Sequence, residues 1–319
     1  MSCIVVTGAN GFVGRALSRA LTADGHSVTG LVRRVGGCAA GVREWLYDRP
    51  DFVGLADIAW PEVHCVVHLA ARVHVMNNID SDPDAAFCAT NVEGTLRVAE
   101  AARRNGVRRF VFVSSIKAIA ERDGGRPLSE NDPARPEDAY GRSKFEAELA
   151  LRQFGDASGL DVVIVRPPLV YGPGVRANFL RMMDAISCGM PLPLGTITAR
   201  RSLVYIDNLA DVLVACAIDP RATRGCFHIA DDDPLSVAEL LRMVGDALGK
   251  PARLFPVPAS VLRTIGKLTG RSAAIERLTD SLQLDTGHVK RVLDWRPPFT
   301  TRQGLEATAA WYRSRDHQK

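Results

Sequence analysis

Cys3-Ile4-Val5-Val6-Thr7-Gly8-Ala9-Asn10-Gly11-Phe12-Val13-Gly14 opens the chain with an apolar strand, Cys3–Val6, that runs into a glycine turn and then into a helical pattern over Gly11–Ala23. A strand, a glycine turn and a helix in that order are the setting in which the pyrophosphate of a dinucleotide is held. Gly8 permits the tight turn, and Gly11 lets backbone N–H groups approach a pyrophosphate at the helix N-terminus. Gly14 lets helix and strand pack closely. Phe12 and Val13 lie between the last two glycines and fall in the same cofactor-binding set.

Outward from this turn, short β-rich runs alternate with longer helical patterns, as in βαβ units with a parallel sheet covered on both faces. Strands are expected at Ser27–Val32, Glu44–Tyr47, Cys65–Leu69, Arg109–Ser114 and Val162–Arg166, with helices at Asp84–Arg104 and Tyr140–Phe154. The fold class is therefore α/β, a Rossmann-type doubly wound parallel sheet. Beyond Pro167 the texture changes: Pro167-Pro168, Gly172-Pro173-Gly174 and Pro191–Gly195 break shorter elements. Residues 1–167 are thus expected to form the dinucleotide-binding domain and 168–313 mostly a smaller substrate-binding lobe, with strands returning to the sheet near 202–206 and 226–229. Ser236 with Glu239 and Thr300 with Gln303 are capping-box pairs. Ser314–Lys319 reads as a disordered tail.

Composition narrows the class of function. The 319 residues bury a sizeable core without staples, and the seven cysteines are scattered, with Cys3 and Cys65 in apolar runs. No CxxC pair exists, and His64 with His68 sits on a buried strand rather than on one helix face, so no metal site is expected. No apolar stretch reaches about 18 residues and no charged leader precedes an apolar core, which points to a cytoplasmic protein without a membrane span. A net charge of +4 spread without interleaved aromatics gives no nucleic-acid surface.

Tyr140-Gly141-Arg142-Ser143-Lys144 supplies YxxxK, whose spacing puts both side chains on one helical face, and Ser114-Ser115 ends a strand. Together with the GxxGxxG turn these residues resemble the extended short-chain dehydrogenase/reductase family, which holds the nucleotide-sugar epimerases, dehydratases and reductases. The resemblance spans nearly the whole chain. It implies a catalytic Ser115, Tyr140 and Lys144, with Ser114 beside them in the cofactor site. It also implies that Asp48 contacts adenine, that Leu69, Ala70 and Ala71 line the cofactor, that Asn91 is a structural asparagine, that Pro167 touches the cofactor, and that the chain dimerises through the helices at Asp84–Arg104 and Tyr140–Phe154.

Hydride transfer between an alcohol and a nicotinamide needs a group that gives and takes the hydroxyl proton, and Tyr140 is that group. Lys144 would lower the phenol's pKa by its charge and bind the nicotinamide ribose, and Ser115 would position the reacting oxygen. After Ser115 the chain reads Ile116-Lys117, not the Asp-Glu pair of the family's 4,6-dehydratases, and Lys117 with Gly174 stands where the epimerase-reductases of GDP-sugars carry Cys and His. Dehydration and 3,5-epimerisation are disfavoured.

Where an NAD enzyme usually carries an acid after its second strand, Val32 is followed by Arg33 and Arg34. Two guanidiniums there either grip the 2′-phosphate of NADP or stand as solvated charges. NADP is preferred, with NAD the alternative. The resemblance further implies a substrate diphosphate at Asn178-Phe179, a phosphate-binding Arg201, a second phosphate ligand in Arg277, and Lys117 at the substrate. Asn178 otherwise caps its helix, and Arg201 is otherwise a solvated strand residue. His68–Met76 and Ser114–Ala118 resemble a reductase subgroup. The expected reaction is NADPH-dependent reduction of a 4-keto-6-deoxy UDP-hexose for surface polysaccharide, with UDP-hexose C4 epimerisation on retained NAD as the alternative and reduction of a non-nucleotide ketone as a more distant one. Val261, Leu262, Ile265 and Leu268 recur at helical spacing with Arg263, Lys267 and Arg271 on other faces, either a helix packed on the second lobe or one lying on a membrane or partner.

Overall fold

Val, Ile and Phe crowd the strands because both faces of the sheet are covered. A computed structural model describes residues 1–49, 51–73 and 83–316; the part of His68–Met76 beyond Val73 lies outside them. The central strands are β1 (Cys3–Thr7), β2 (Ser27–Val32), β3 (Arg43–Leu46), β4 (Cys65–His68), β5 (Arg109–Val113) and β6 (Asp161–Arg166). Three short strands follow, β7 (Leu169–Tyr171), β8 (Arg200–Arg201) and β9 (Leu203–Tyr205), before β10 (Cys226–His228) and β11 (Leu235–Ser236). Seven of these form one parallel sheet in the order β10-β6-β5-β4-β1-β2-β3. The order reverses direction beside β1, which places a ligand crevice at the carboxyl ends of β1, β4 and β5.

Helices α1 (Phe12–Ala23), α2 (Pro83–Cys88), α3 (Gly94–Arg104) and α4 (Ala139–Ser158) lie in the first half. Val98, Ala99, Ala102, Ala147 and Leu151 of α3 and α4 bury one face of the sheet. The opposite face is covered by Leu17 and Leu21 of α1 and by a helix from beyond Pro167, whose Leu209, Val212 and Leu213 are buried there. In the second half follow α5 (Ala177–Ser187), that covering helix α6 (Ile206–Ile218), α7 (Val237–Leu248), α8 (Ala259–Leu268), α9 (Ser272–Thr279), α10 (Gly287–Leu293) and α11 (Thr301–Asp316). A second core gathers Phe179 and Met183 of α5, Leu241 and Val244 of α7, Leu305 of α11 and Tyr171.

Three local details differ from the sequence reading. Cys226–His228 pairs with β6 in the central sheet, but Leu203–Tyr205 pairs with β7 in a separate two-stranded sheet, because its partner strand leaves the layer after Pro168. Asp84–Arg104 is not one regular helix. A π turn at Ala89–Glu93 divides it, a wide turn of the kind often found beside functional sites. Ser314–Asp316 continues α11 instead of fraying; the rest of the expected tail, 317–319, lies outside the described residues. Both capping boxes form: Ser236 Oγ accepts from Glu239 N at 3.2 Å and Thr300 Oγ1 from Gln303 N at 3.3 Å.

Candidate active site at the carboxyl edge of the sheet

Gly8 sits at φ +69°, and a Cβ on it would stand 3.3 Å from the Ala70 backbone, so the turn after β1 presses directly on the loop after β4. A Cβ on Gly14 would lie 2.2 Å from the Gly8 carbonyl oxygen and one on Gly11 3.0 Å from it. No larger residue fits the cradle, which leaves the first N–H groups of α1 without a side-chain cap. Thr7 Oγ1 accepts from Leu69 N and Ala70 N, both at 3.1 Å, and pairs with His68 Nδ1 at 2.9 Å. His68 is fully buried and bonded on its other side to Thr95 Oγ1, and burial holds its pKa down to about 3. It is a neutral structural group, and among the described residues no cluster could hold a metal ion.

Asn91 explains the π turn. Its amide accepts from Arg72 N at 2.8 Å and donates to Arg72 O at 3.0 Å and to Ser143 Oγ at 3.0 Å. One side chain thereby fixes the loop after β4, lined by Leu69, Ala70 and Ala71, against α4. Ser114 is buried, and its hydroxyl is an orphan with no hydrogen-bond partner among the described residues. Such an atom costs free energy unless a ligand meets it, so the cradle and this hydroxyl fit a dinucleotide. Pro167 is buried beside them and accepts from Ile116 N at 3.0 Å. Phe12 and Val13 are half-buried at the start of α1, and Asp48, Arg33 and Arg34 are exposed beyond β3 and β2.

Ser115 and Tyr140 are brought together as the spacing requires. Ser115 caps a single tight turn, Ile116–Ala118, and its hydroxyl accepts from Lys117 N at 3.2 Å. Asp138 caps α4 by accepting from Gly141 N at 2.7 Å, and a Cβ on Gly141 would stand 2.4 Å from Lys117 O. Glycine at this position lets the start of α4 lie against the Ser115 turn, which sets the Tyr140 phenol beside the Ser115 side chain. Burial and then the Asp138 carboxylate push the phenol up to about 12, with the Ser115 hydroxyl opposing. Lys144, one turn on, spends its amine on Val113 O at 2.9 Å and sits 4.5 Å over the Phe112 ring. The phenol is thus raised in this structure, not lowered. Bringing it toward neutrality requires added positive charge beside it.

Burial holds Lys144 down to about 7, with Glu148 opposing. A lysine whose folded pKa lies below its unfolded value costs stability. The cost is full below pH 7, where both states are charged, and fades as pH rises to the unfolded value of about 10.4. The fall to about 7 represents on the order of 5 kcal/mol, more than the ~1–3 kcal/mol of leaving the Val113 carbonyl unpaired. Lys144→Met should therefore raise the melting temperature near neutral pH while abolishing turnover, and the gain should shrink in alkaline buffer. Melting curves that show no gain at neutral pH would refute this account of the amine.

Lys117 and Arg277 meet on Glu121, with Arg201 bonded to the backbone beside Arg277. The Lys117 ammonium is committed to Glu121 at 3.0 Å and Asp138 at 2.6 Å. Arg277 meets Glu121 at 3.5 Å, and Arg201 donates to Arg277 O at 2.9 Å and Asp280 O at 3.1 Å. A cavity opens beside Glu121 and Arg277, lined also by Arg122, Glu137, Asp138, Glu276 and Asp280. Asn178 is exposed in the first turn of α5 and does not cap it, since the N-cap position is Arg176. The Phe179 ring is core, stacked on Tyr171 at 5.5 Å, which leaves only its backbone for a ligand.

The sequence reading missed the acids. Asp138 and Glu121 hold Lys117, and Glu148, fully buried, accepts from Arg166 Nε at 3.0 Å and Nη2 at 2.6 Å. Glu148 follows Lys144 by four residues, a spacing that extends the Tyr140–Lys144 stripe and could have flagged it.

A family model described as the NAD-dependent epimerase/dehydratase family matches residues 4–229. A UDP-glucose 4-epimerase of Vibrio cholerae is 41% identical over 311 residues, 96% of this chain and 94% of the relative. Among solved structures, UDP-glucose 4-epimerase from Thermotoga maritima with UDP-glucose superposes at TM-score 0.78 with 23% identity over 98% of this chain and 99% of that one, a likeness of fold. A protein named MoeE5, in complex with UDP-glucuronic acid and NAD, superposes at TM-score 0.78 with 26% identity over 98% and 99%. Matched over most of its length by the family model and carrying the glycine cradle and the Ser–Tyr–Lys group, this chain belongs to the NAD-dependent epimerase/dehydratase family of extended short-chain dehydrogenases/reductases.

Proposed function

We propose that the chain is a UDP-hexose 4-epimerase that works on retained NAD. The observation that carries the reading is the 41% identity to a UDP-glucose 4-epimerase along nearly the whole chain, and it favours epimerisation over the 4-keto reduction that Arg33 and Arg34 suggested. Nicotinamide, when bound, supplies a reversible hydride acceptor. Tyr140 takes the C4 hydroxyl proton as the sugar is oxidised and returns it when the 4-keto sugar is reduced on its other face, so that no net oxidant is consumed. Ser115 orients the reacting oxygen. Lys144 holds the ribose, and the cradle of Gly8, Gly11 and Gly14 with α1 holds the pyrophosphate. Arg201, Arg277 and the first N–H groups of α5 are proposed to take the substrate diphosphate, while Lys117 braces the start of α4 through Asp138. The chain is further proposed to form a homodimer through α3 and α4.

The test supplies the purified protein in turn with UDP-glucose, UDP-N-acetylglucosamine and a 4-keto-6-deoxy UDP-hexose, following both sugar configuration and nicotinamide absorbance. Gluco–galacto interconversion without net loss of reduced nicotinamide is expected. Stoichiometric oxidation of NADPH by the keto sugar alone would replace the epimerase with the reductase. Arg33→Ala with Arg34→Ala should leave NAD binding intact; a selective loss of NADPH binding would identify the pair as a 2′-phosphate site.

A further inference from the structure

We infer that residues 249–279 form a docking surface for an anionic lipid bilayer. This segment carries Lys250, Arg253, Arg263, Lys267, Arg271 and Arg277 against Glu276; Arg263 and Arg277 are paired with Asp280 and Glu121 from outside it, so these six bases face three acids, a net +3. The same segment exposes apolar side chains. On α8 only Leu262 and Gly266 turn inward, while Val261, Ile265 and Leu268, at spacings of four and three, form an outward stripe that is 45%, 47% and 82% exposed. Phe255, just before the helix, is 42% exposed. An apolar stripe bordered by long basic side chains is the arrangement that inserts into the headgroup boundary, because the stems lie along the acyl region while the charges meet lipid phosphates.

The charge selects among occupants. A second copy docking through a two-fold axis would bring two net-positive surfaces together, and like charges oppose that contact. The inward side of α8 is held by α9, with Gly266 against Ile275 and Arg263 bonded to Asp280 at 2.7 Å. That helix in turn contributes Ala273, Glu276 and Arg277 to the cavity beside Lys117. The docked enzyme therefore holds this cavity close to the bilayer surface. The inference stands apart from the choice of epimerase or reductase.

Sedimentation with vesicles made of equal parts phosphatidylglycerol and phosphatidylcholine tests it, with pure phosphatidylcholine as the contrast. The protein should bind the anionic vesicles at low salt, lose them as salt rises, and ignore the neutral ones. Leu268→Glu, and separately Lys267→Glu with Arg271→Glu, should each weaken binding by roughly tenfold with melting temperatures unchanged. Failure to sediment with anionic vesicles at low salt, or equal binding by the variants, would overturn the inference. A concentration-dependent dimer that Leu268→Glu dissolves would make a second copy the occupant instead, and a salt-sensitive complex with an acidic protein but not with vesicles would make it a protein surface.

Discussion

Tyr140→Phe should lower turnover by a factor on the order of 10² to 10⁴, the contribution of a positioned acid/base, while cofactor affinity stays near that of the wild type. The ring is retained, and with it the edge contact to Phe87 at 6.3 Å between centroids. Only the hydroxyl beside Ser115 is lost. The glycine cradle and the Lys144 amine are untouched, so a cofactor titration separates chemistry from binding. Since burial and Asp138 already push the phenol up to about 12, removing the hydroxyl takes away no charge at neutral pH, and the melting temperature should hold. Turnover within about threefold of wild type would remove Tyr140 from the role of acid/base, whichever sugar is the substrate. A parallel loss of cofactor affinity would instead mean that the phenol holds the nucleotide.

The sheet, the glycine turn and the Ser115–Tyr140–Lys144 group could be read in the sequence because each is written locally. A strand that runs into the Gly8 turn and a helix that opens at Tyr140 need no knowledge of distant partners. The pairing of Leu203–Tyr205 with Leu169–Tyr171 was not legible for the opposite reason. An apolar three-residue run carries its β preference but not the identity of its neighbour. The π turn at Ala89–Glu93 follows from the reach of one amide, Asn91 to Arg72, which no helical periodicity encodes. Phe179 misled because its sequence position marks a helix start, whereas its ring faces the second core. Glu121 and Glu148 each follow their lysine by four residues, a local spacing; what folding alone supplies is Asp138 on Lys117 and Arg166 on Glu148.

The interior of α4 gives the second large effect. Glu148 and Arg166 are each at most 2% exposed and joined through two guanidinium nitrogens, with Arg166 also reaching Glu130 O at 3.3 Å and the neutral His228 ring at 3.4 Å. Glu148→Gln leaves a buried guanidinium without its carboxylate, a loss of about 3–5 kcal/mol; at roughly 2–4 °C per kcal/mol for a large domain, the melting temperature should fall by on the order of 10 °C. Glu148→Leu combined with Arg166→Met removes both charges and should recover most of that loss, because a well-packed apolar pair of similar volume replaces a buried ion pair at little cost. The recovered variant still differs from wild type at Lys144, since Glu148 is the group that supports the ammonium against burial. Without it the lysine pKa falls further below about 7, so a reaction that needs charged Lys144 should lose its alkaline limb at lower pH than wild type. A double variant as unstable as Glu148→Gln would show that packing, not charge, sets the stability here. A recovered variant whose pH profile coincides with wild type would release Glu148 from any influence on Lys144.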